Sequence, residues 1–282
     1  MKNMYDYSKA VKAMRDFFQG EKGFIEVPAQ SRQSILAACE DPATISLYNF
    51  NGIDFPLPQT GQMWLERELL ENPDVKGVFC ITTSYRNEPN PIEGRHDKIF
   101  PMFEFESHGD MNDMIKLEKE LLHHLGFNIT EELVEVDFPE ITYDDASKKY
   151  DVELLDYNEE EMLCNEASYG DCVFLKDFPL RTHPFWNMKH RGDGIYSKVD
   201  VIMHGMETIG SAERATDVQE MREQFYNISD GEYAKLLFNH FGKERVVDEL
   251  EEYVALDMFE RFGGGIGVTR MVSALKNEGI LS

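Results

Sequence analysis

Three stretches of this chain gather side chains suited to phosphates, carboxylates and divalent cations. The first runs from Tyr85-Arg86-Asn87-Glu88 through a polar loop to Gly94-Arg95-His96, then into residues 100–106. An arginine at a strand end stands on rigid backbone, and its planar guanidinium gives a phosphate permanent charge and two parallel hydrogen bonds. A second arginine and a histidine sit in the loop. On the returning strand an aromatic residue offers a stacking face for adenine, with acids beyond it. Any one of these residues reads equally well as a surface ion pair, but the set supplies the groups that ATP requires.

The second stretch is Asp200-Val201-Ile202-Met203-His204-Gly205-Met206-Glu207, followed by Ile209-Gly210-Ser211-Ala212-Glu213-Arg214. Two carboxylates on either side of a turn glycine can hold Mg²⁺ against phosphates. In so acidic a chain the pair alone is weak evidence. Gly210 lets backbone approach a ligand, and Arg214 can bind a carboxylate. The third stretch, Gly263-Gly264-Gly265-Ile266-Gly267-Val268-Thr269-Arg270, superficially suggests a dinucleotide loop. Such a loop opens a βαβ unit with an acid about 20 residues on. Here the printed chain stops twelve residues after Arg270. The glycines read instead as a turn from strand to helix that passes close to a ligand, with Arg270 at the helix start.

The elements that carry these groups follow from periodicity and turn chemistry. Residues 7–20 predict an amphipathic helix, 24–28 a short strand, and 45–50 a strand ending at the hairpin signal Asn51-Gly52, with 31–40 and a turn at Pro42 before it. Residues 62–71 predict a helix. Residues 75–86 and 99–106 predict a long antiparallel hairpin around the polar loop. Asp110 caps a helix over 110–125, and 173–178 and 199–204 read as strands. Residues 217–226, 230–241, 243–257 and 268–277 read as helices, and 263–267 as a glycine-rich turn. The markedly acidic 130–170 is expected to form helices and loops on a solvated face. No repeat or linker divides the chain. The mixed order with many antiparallel strands predicts an α+β fold in one domain over 1–282.

These segments resemble motifs 2 and 3 of the class II aminoacyl-tRNA synthetases, and the region between them resembles the aspartyl and asparaginyl branch. Arg86 with Glu88 is similar to the start of motif 2, Arg95-His96 to its loop, and residues 265–270 to the motif 3 glycine turn and arginine. Residues 57–62 (LPQTGQ) resemble the segment that contacts the amino acid. Phe178-Pro179 and Pro184-Phe185-Trp186 match the branch's "FP…PFY" stretch. The resemblance spans nearly the whole chain and implies an antiparallel sheet flanked by helices. It implies that Arg86 holds the α-phosphate and the reacting carboxylate, and that Arg270 holds the γ-phosphate of a bent ATP. Glu88, Arg95, His96 and Gly267 would complete the nucleotide site, Phe100 would stack on adenine, and Asp200 and Glu207 would hold Mg²⁺. Gln59, Gln62, Glu104 and Arg214 would face the amino acid.

The sequence also departs from the family pattern. Ile99 stands where the family usually has a glutamate before its adenine-stacking phenylalanine. Gln30 stands at the usual motif 1 proline, in the region that builds the family's dimer. The lysine with which aspartyl enzymes hold the substrate side chain is absent near Gln62. An anticodon-binding domain is not expected, since motif 1 begins near residue 10.

Composition bears on the acceptor. Lys and Arg total 28 against 53 Asp and Glu, a formal charge of −25, and such a surface repels a phosphate backbone. Cys39, Cys80, Cys164 and Cys172 fit no metal spacing and read as buried thiols of a reducing cytoplasm. No run approaches the ~18 apolar residues of a membrane span. The expectation is an AMP-forming ligase, similar to the asparagine synthetases related to asparaginyl-tRNA synthetase. It would adenylate an aspartate-like amino acid and pass it to ammonia or another amine, as a cytoplasmic homodimer with tRNA an unfavoured partner. The alternatives are a truncated synthetase that charges a tRNA or other carrier, and a catalytically silent paralogue.

Overall fold

The computed structural model describes residues 3–28, 42–130, 134–166 and 168–281. The segment 31–40, Gln30 and Cys39 lie outside these residues.

Helix α1 (Met4–Arg15) starts where the Asn3 side chain accepts the Tyr5 N–H at 3.0 Å, and it runs into a π-helical turn (Asp16–Glu21). Strand β1 (Ile25–Glu26) follows. The Asn51-Gly52 signal gives a hairpin of β2 (Leu47–Phe50) and β3 (Ile53–Pro56), with φ of 53° and 83° at the two turn residues. Positive φ at both central positions is the turn whose twist matches a hairpin. Then come α2 (Gln62–Glu71), β4 (Gly77–Tyr85), β5 (Ile99–His108) and α3 (Met111–Leu125). Asp110 closes a capping box with Asp113 at the start of α3.

The chain continues through β6 (Glu140–Thr142), α4 (Tyr143–Tyr150), α5 (Tyr157–Asn165) and β7 (Cys172–Pro179). The strands β8 (Ile195–Met203) and β9 (Met206–Glu213) form a tight hairpin. The helices α6 (Val218–Asn227), α7 (Glu232–Phe241) and α8 (Lys243–Val254) precede β10 (Arg261–Gly267) and α9 (Val268–Asn277).

Eight strands make one sheet in the order β1-β4-β5-β10-β9-β8-β7-β6. Only the outer pairs β1/β4 and β6/β7 are parallel. The fold is therefore α+β with a mostly antiparallel sheet, as expected. Alternation along the strands assigns the two faces. Phe103 and Phe105 on β5, Val199 and Val201 on β8, and Ile266 on β10 join α1, α3 and α9 in the main core. Their neighbours Met102, Glu104 and Glu106 on β5, and Lys198 and Asp200 on β8, point to the opposite face. A second core ties α2 to α6, α7 and α8 around Trp186, Phe225 and Leu237. Among the described residues no helix is long and apolar enough to cross a membrane.

Three expectations need correction. The glycine stretch is not a turn but a central strand, paired with β5 on one side and β9 on the other. Its side chains are missing because neighbours fill their places: a Cβ on Gly263 would lie 1.9 Å from Glu106 Oε1, and one on Gly265 would lie 2.7 Å from Met102 Cε. Residues 206–213, left without an element by their small residues, form β9. The acidic segment is not merely a solvated layer. It adds β6 to the sheet edge, and it buries Ile141, Tyr143, Ala146 and Leu163 against β7 and β8.

Candidate active site

The polar face of the sheet is the floor of a cleft of about 1030 Å³. Its lining includes Gln62, Arg86, Glu207, Arg214 and Arg270. The glycines of β10 leave bare backbone along its middle.

At one end of the floor, Arg214 follows β9 and is 2% exposed. Its guanidinium donates from Nη2 to Glu106 Oε1, with Nε 3.4 Å from Oε2, and it donates from Nη2 to Gln62 Oε1 at 3.2 Å. Glu66 Oε1 lies 3.6 Å from Arg214 Nε. Glu66 in turn accepts from Asn187 Nδ2 at 2.6 Å, the Tyr253 hydroxyl at 2.6 Å and Arg261 Nη2 at 2.8 Å. Burial pushes the Glu106 carboxyl up to about 8 against the pull of Arg214. Buried charges are tolerated only when paired and hydrogen-bonded, and this network meets that condition around Glu66. The Arg214 fork is held by Glu106, and Arg214 and Gln62 both line the cleft.

Two residues expected to face the amino acid do not line the cleft. Glu104 is fully buried; it accepts the Gly61 N–H at 2.9 Å and the hydroxyls of Thr60 and Thr82. Gln59 is fully buried too, and its amide donates to Thr44 Oγ1 at 2.8 Å. A carboxylate on the floor with a backbone N–H above it is drawn to that donor. Both residues hold the 59–62 loop in place, and of Gln59, Gln62 and Glu104 it is Gln62 that lines the cleft.

At the other end Arg86 immediately follows β4, and its guanidinium carbon lies 5.4 Å from the centre of the Phe100 ring. Arginine and aromatic thus share the cleft wall. Ile99, beside them, is 64% exposed. His96 Nδ1 meets Glu88 Oε2 at 2.8 Å, pinning the loop. Gly267 is the residue before α9, and Arg270 stands in that helix's first turn. Arg270 donates from Nη1 to the Glu207 carbonyl at 2.5 Å and from Nη2 to the Arg95 carbonyl at 3.4 Å.

The acids of the β8–β9 hairpin converge over Gly210. A Cβ there would lie 2.7 Å from Glu207 Oε1 and 3.5 Å from Asp200 Oδ1, so the glycine gives Glu207 its room and lets both acids meet over it. Asp200 pairs with Lys198 Nζ through Oδ2 at 2.7 Å, while its buried Oδ1 has no hydrogen-bond partner. Burial pushes the Asp200 carboxyl up to about 7; Lys198 opposes this and Glu207 adds to it. An orphaned carboxylate oxygen beside a second carboxylate, over a glycine cradle, fits a hard divalent cation with oxygen ligands.

Sequence reasoning did not name Lys198, Glu66 or Glu160. The period of two on β8 is a signal for Lys198, which it puts on the Asp200 face. Glu66 lies one helical turn after Gln62 on α2, so helical spacing points it the same way. Glu160, on α5 in the acidic segment, pairs with Arg95 across 65 positions, and no local pattern announces that.

The chain matches the model of the tRNA synthetases class II (D, K and N) family over residues 1–280. An aspartate–tRNA(Asp) ligase of Thermoplasma volcanium is 25% identical over 241 residues, covering 77% of this chain and 54% of that protein. A lysine–tRNA ligase of Clostridium kluyveri is 22% identical, covering 95% of this chain and 60% of its own length. Among solved structures, asparaginyl-tRNA synthetase from Pyrococcus horikoshii, complexed with asparaginyl-adenylate, superposes with a TM-score of 0.76 at 21% identity. It covers 96% of this chain, which spans 64% of that one. The chain thus spans a little over half to two-thirds of the length of these relatives.

Proposed function

This chain belongs to the class II tRNA synthetase family (D, K and N), and on that premise we propose that it adenylates the carboxylate of an aspartate-like amino acid with ATP. The observation that carries the reading is one cleft lined by Arg86 and Arg270 at one end and by Arg214 at the other, with Glu207 in its wall and Asp200 buried next to it across Gly210. Phosphoryl chemistry of this kind needs positioning and charge neutralisation more than proton transfer.

In this reading Arg214 and Gln62 fix the far end of the amino acid, so that its reacting carboxylate is delivered beneath Arg86. A carboxylate oxygen attacks the α-phosphorus in line. The new O–P bond forms as the bond to the bridging oxygen breaks, and pyrophosphate leaves with the electron pair. Arg86 neutralises the charge that develops on the α-phosphate, and Arg270 and Arg95 hold the departing phosphates. Asp200 and Glu207 would hold a Mg²⁺ ion, which supplies further neutralisation of the polyphosphate. Phe100 offers the face on which adenine stacks.

The acyl group then passes to an acceptor, which attacks the mixed anhydride carbonyl, expels AMP and loses a proton. We take ammonia or another amine as the acceptor, making residues 1–282 one catalytic unit that forms an amide. The formal charge of −25 supports this, since a polyanionic acceptor meets net repulsion. A second reading is favoured by the matched relatives, which are named as tRNA ligases: there the acceptor is a tRNA. Two copies are the expected working unit, and exposed Leu47, Phe50 and Ile53 on the β2–β3 hairpin offer apolar surface for that contact.

Amino-acid-dependent exchange of labelled pyrophosphate into ATP, without RNA, tests the first step. Exchange with aspartate or a close relative is the expected result. Absence of exchange with every amino acid would sink the RNA-free reading. Release of AMP with ammonia alone, against release that requires RNA and falls steeply with salt, separates the two acceptors.

A further inference from the structure

Helix α5 sends one carboxylate into the phosphate end of the cleft. Glu160 accepts from Arg95 Nη2 and from the Glu207 backbone N–H, and the Arg270 guanidinium draws it toward its charged form. Tyr157, one turn earlier on the same helix, lies under the same guanidinium, 5.6 Å from ring centre to Arg95 Cζ. The other arm of Arg95 donates from Nη1 to the Gly205 carbonyl at 2.9 Å. These groups surround a recess of about 220 Å³ that Ile92 and His96 complete.

A terminal phosphate takes the same coordination: oxygens between two guanidiniums, with a backbone N–H alongside. We infer that Glu160 is a built-in competitor of the nucleotide, so that ATP seats its polyphosphate on Arg95 by displacing Glu160 and lifting α5 from the cleft. The inference rests on Arg95 and Arg270 being phosphate ligands.

Two features of α5 support it. The helix itself is a short, partly exposed element, with Tyr157 and Met162 at 44% and 48% exposure and Leu163 and Cys164 as its buried anchors. It also rests on the β8–β9 turn. A Cβ on Gly205 would lie 3.0 Å from Glu161 Cα, so movement of α5 reaches the hairpin that carries Asp200 and Glu207.

The test measures MgATP affinity by isothermal titration calorimetry for the full chain and for Glu160→Ala, Glu160→Gln and Arg270→Ala. Both Glu160 variants should bind tighter by on the order of tenfold, because a state that blocks the site lowers apparent affinity by its population. Hydrogen exchange across 157–165 should rise when MgATP is added to the unaltered chain. Unchanged or weaker binding in both folded Glu160 variants, with binding lost in Arg270→Ala, would overturn the latch while leaving the phosphate reading intact. Undiminished binding in Arg270→Ala would remove the phosphate reading and the latch with it.

Discussion

At the Arg214 end of the cleft, Arg214, Glu66 and Arg261 have side chains no more than 2% exposed, and Glu66 on α2 collects partners from α8, β10, the 187 loop and the residue after β9. At the Arg86–Arg270 end the pairs are looser. Arg95 and Glu160 are 18% and 20% exposed, His96 and Glu88 32% and 28%. One end is a knot that cannot open without exposing uncompensated charge to a dry interior. The other is a set of exchangeable ion pairs whose members can change partners when a polyanion arrives. Under the proposed function the contrast separates two tasks. Reading a small amino acid demands fixed geometry, whereas admitting a large charged nucleotide demands partners that let go.

This contrast can be broken at four points, from the largest expected effect to the smallest. Glu66→Ala should strand Arg261 and Arg214 and cost about 3–5 kcal/mol of stability, the usual penalty for one half of a buried pair. A guanidinium denaturation midpoint near the unaltered value would show that the knot is not what holds that end. Arg86→Ala should leave the midpoint in place yet cut pyrophosphate exchange by about 10²–10³, the loss typical of one preorganised charge-stabilising group. Near-normal exchange in that folded variant would remove Arg86 from the site.

The third point lies beneath Asp200, where α3 buries Glu118. Burial pushes its carboxyl from 4.5 up to about 8; Ser211 opposes the shift and Asp200 adds to it. A folded-state pKa above the unfolded one means that the fold binds the extra proton. Stability from this group is therefore complete below about pH 4.5 and declines as pH rises toward 8. Glu118→Gln should flatten that decline in denaturation midpoints taken from pH 5 to 9, and an unchanged slope would count against a buried protonated Glu118. The smallest effect belongs to His96→Ala. Because its pair with Glu88 is about a third exposed, stability should move by less than ~1 kcal/mol, while MgATP affinity falls measurably.

Much of the fold was legible where side chains alternate. The Phe103/Phe105 and Glu104/Glu106 alternation on β5 reports both faces of the sheet, and Asp110 announces α3. The sheet's middle was not legible. Residues 263–267 have almost no side chains to alternate, and residues 210–212 are small, so β10 and β9 carry little periodic signal and the glycines read as a turn. In the site, arginines at strand ends and the Asp200–Glu207 spacing were readable because local geometry alone sets them. Glu104 and Gln59 misled for a different reason. Their residue types suit substrate, but their partners, Gly61 and Thr44, come from elsewhere in the chain, and only packing shows that these side chains are already engaged. Glu160 was hidden by its surroundings, one acid among many.

The bare floor of β10 has a consequence for how this chain can vary. The space a methyl group would need on Gly263 is occupied by the Glu106 carboxylate, and that carboxylate is the partner of Arg214. The three positions therefore cannot change independently. A side chain at 263 is admissible only after Glu106 has been shortened, and shortening Glu106 strands Arg214. A side chain at 263 therefore comes last of the three, after positions 214 and 106 have both changed.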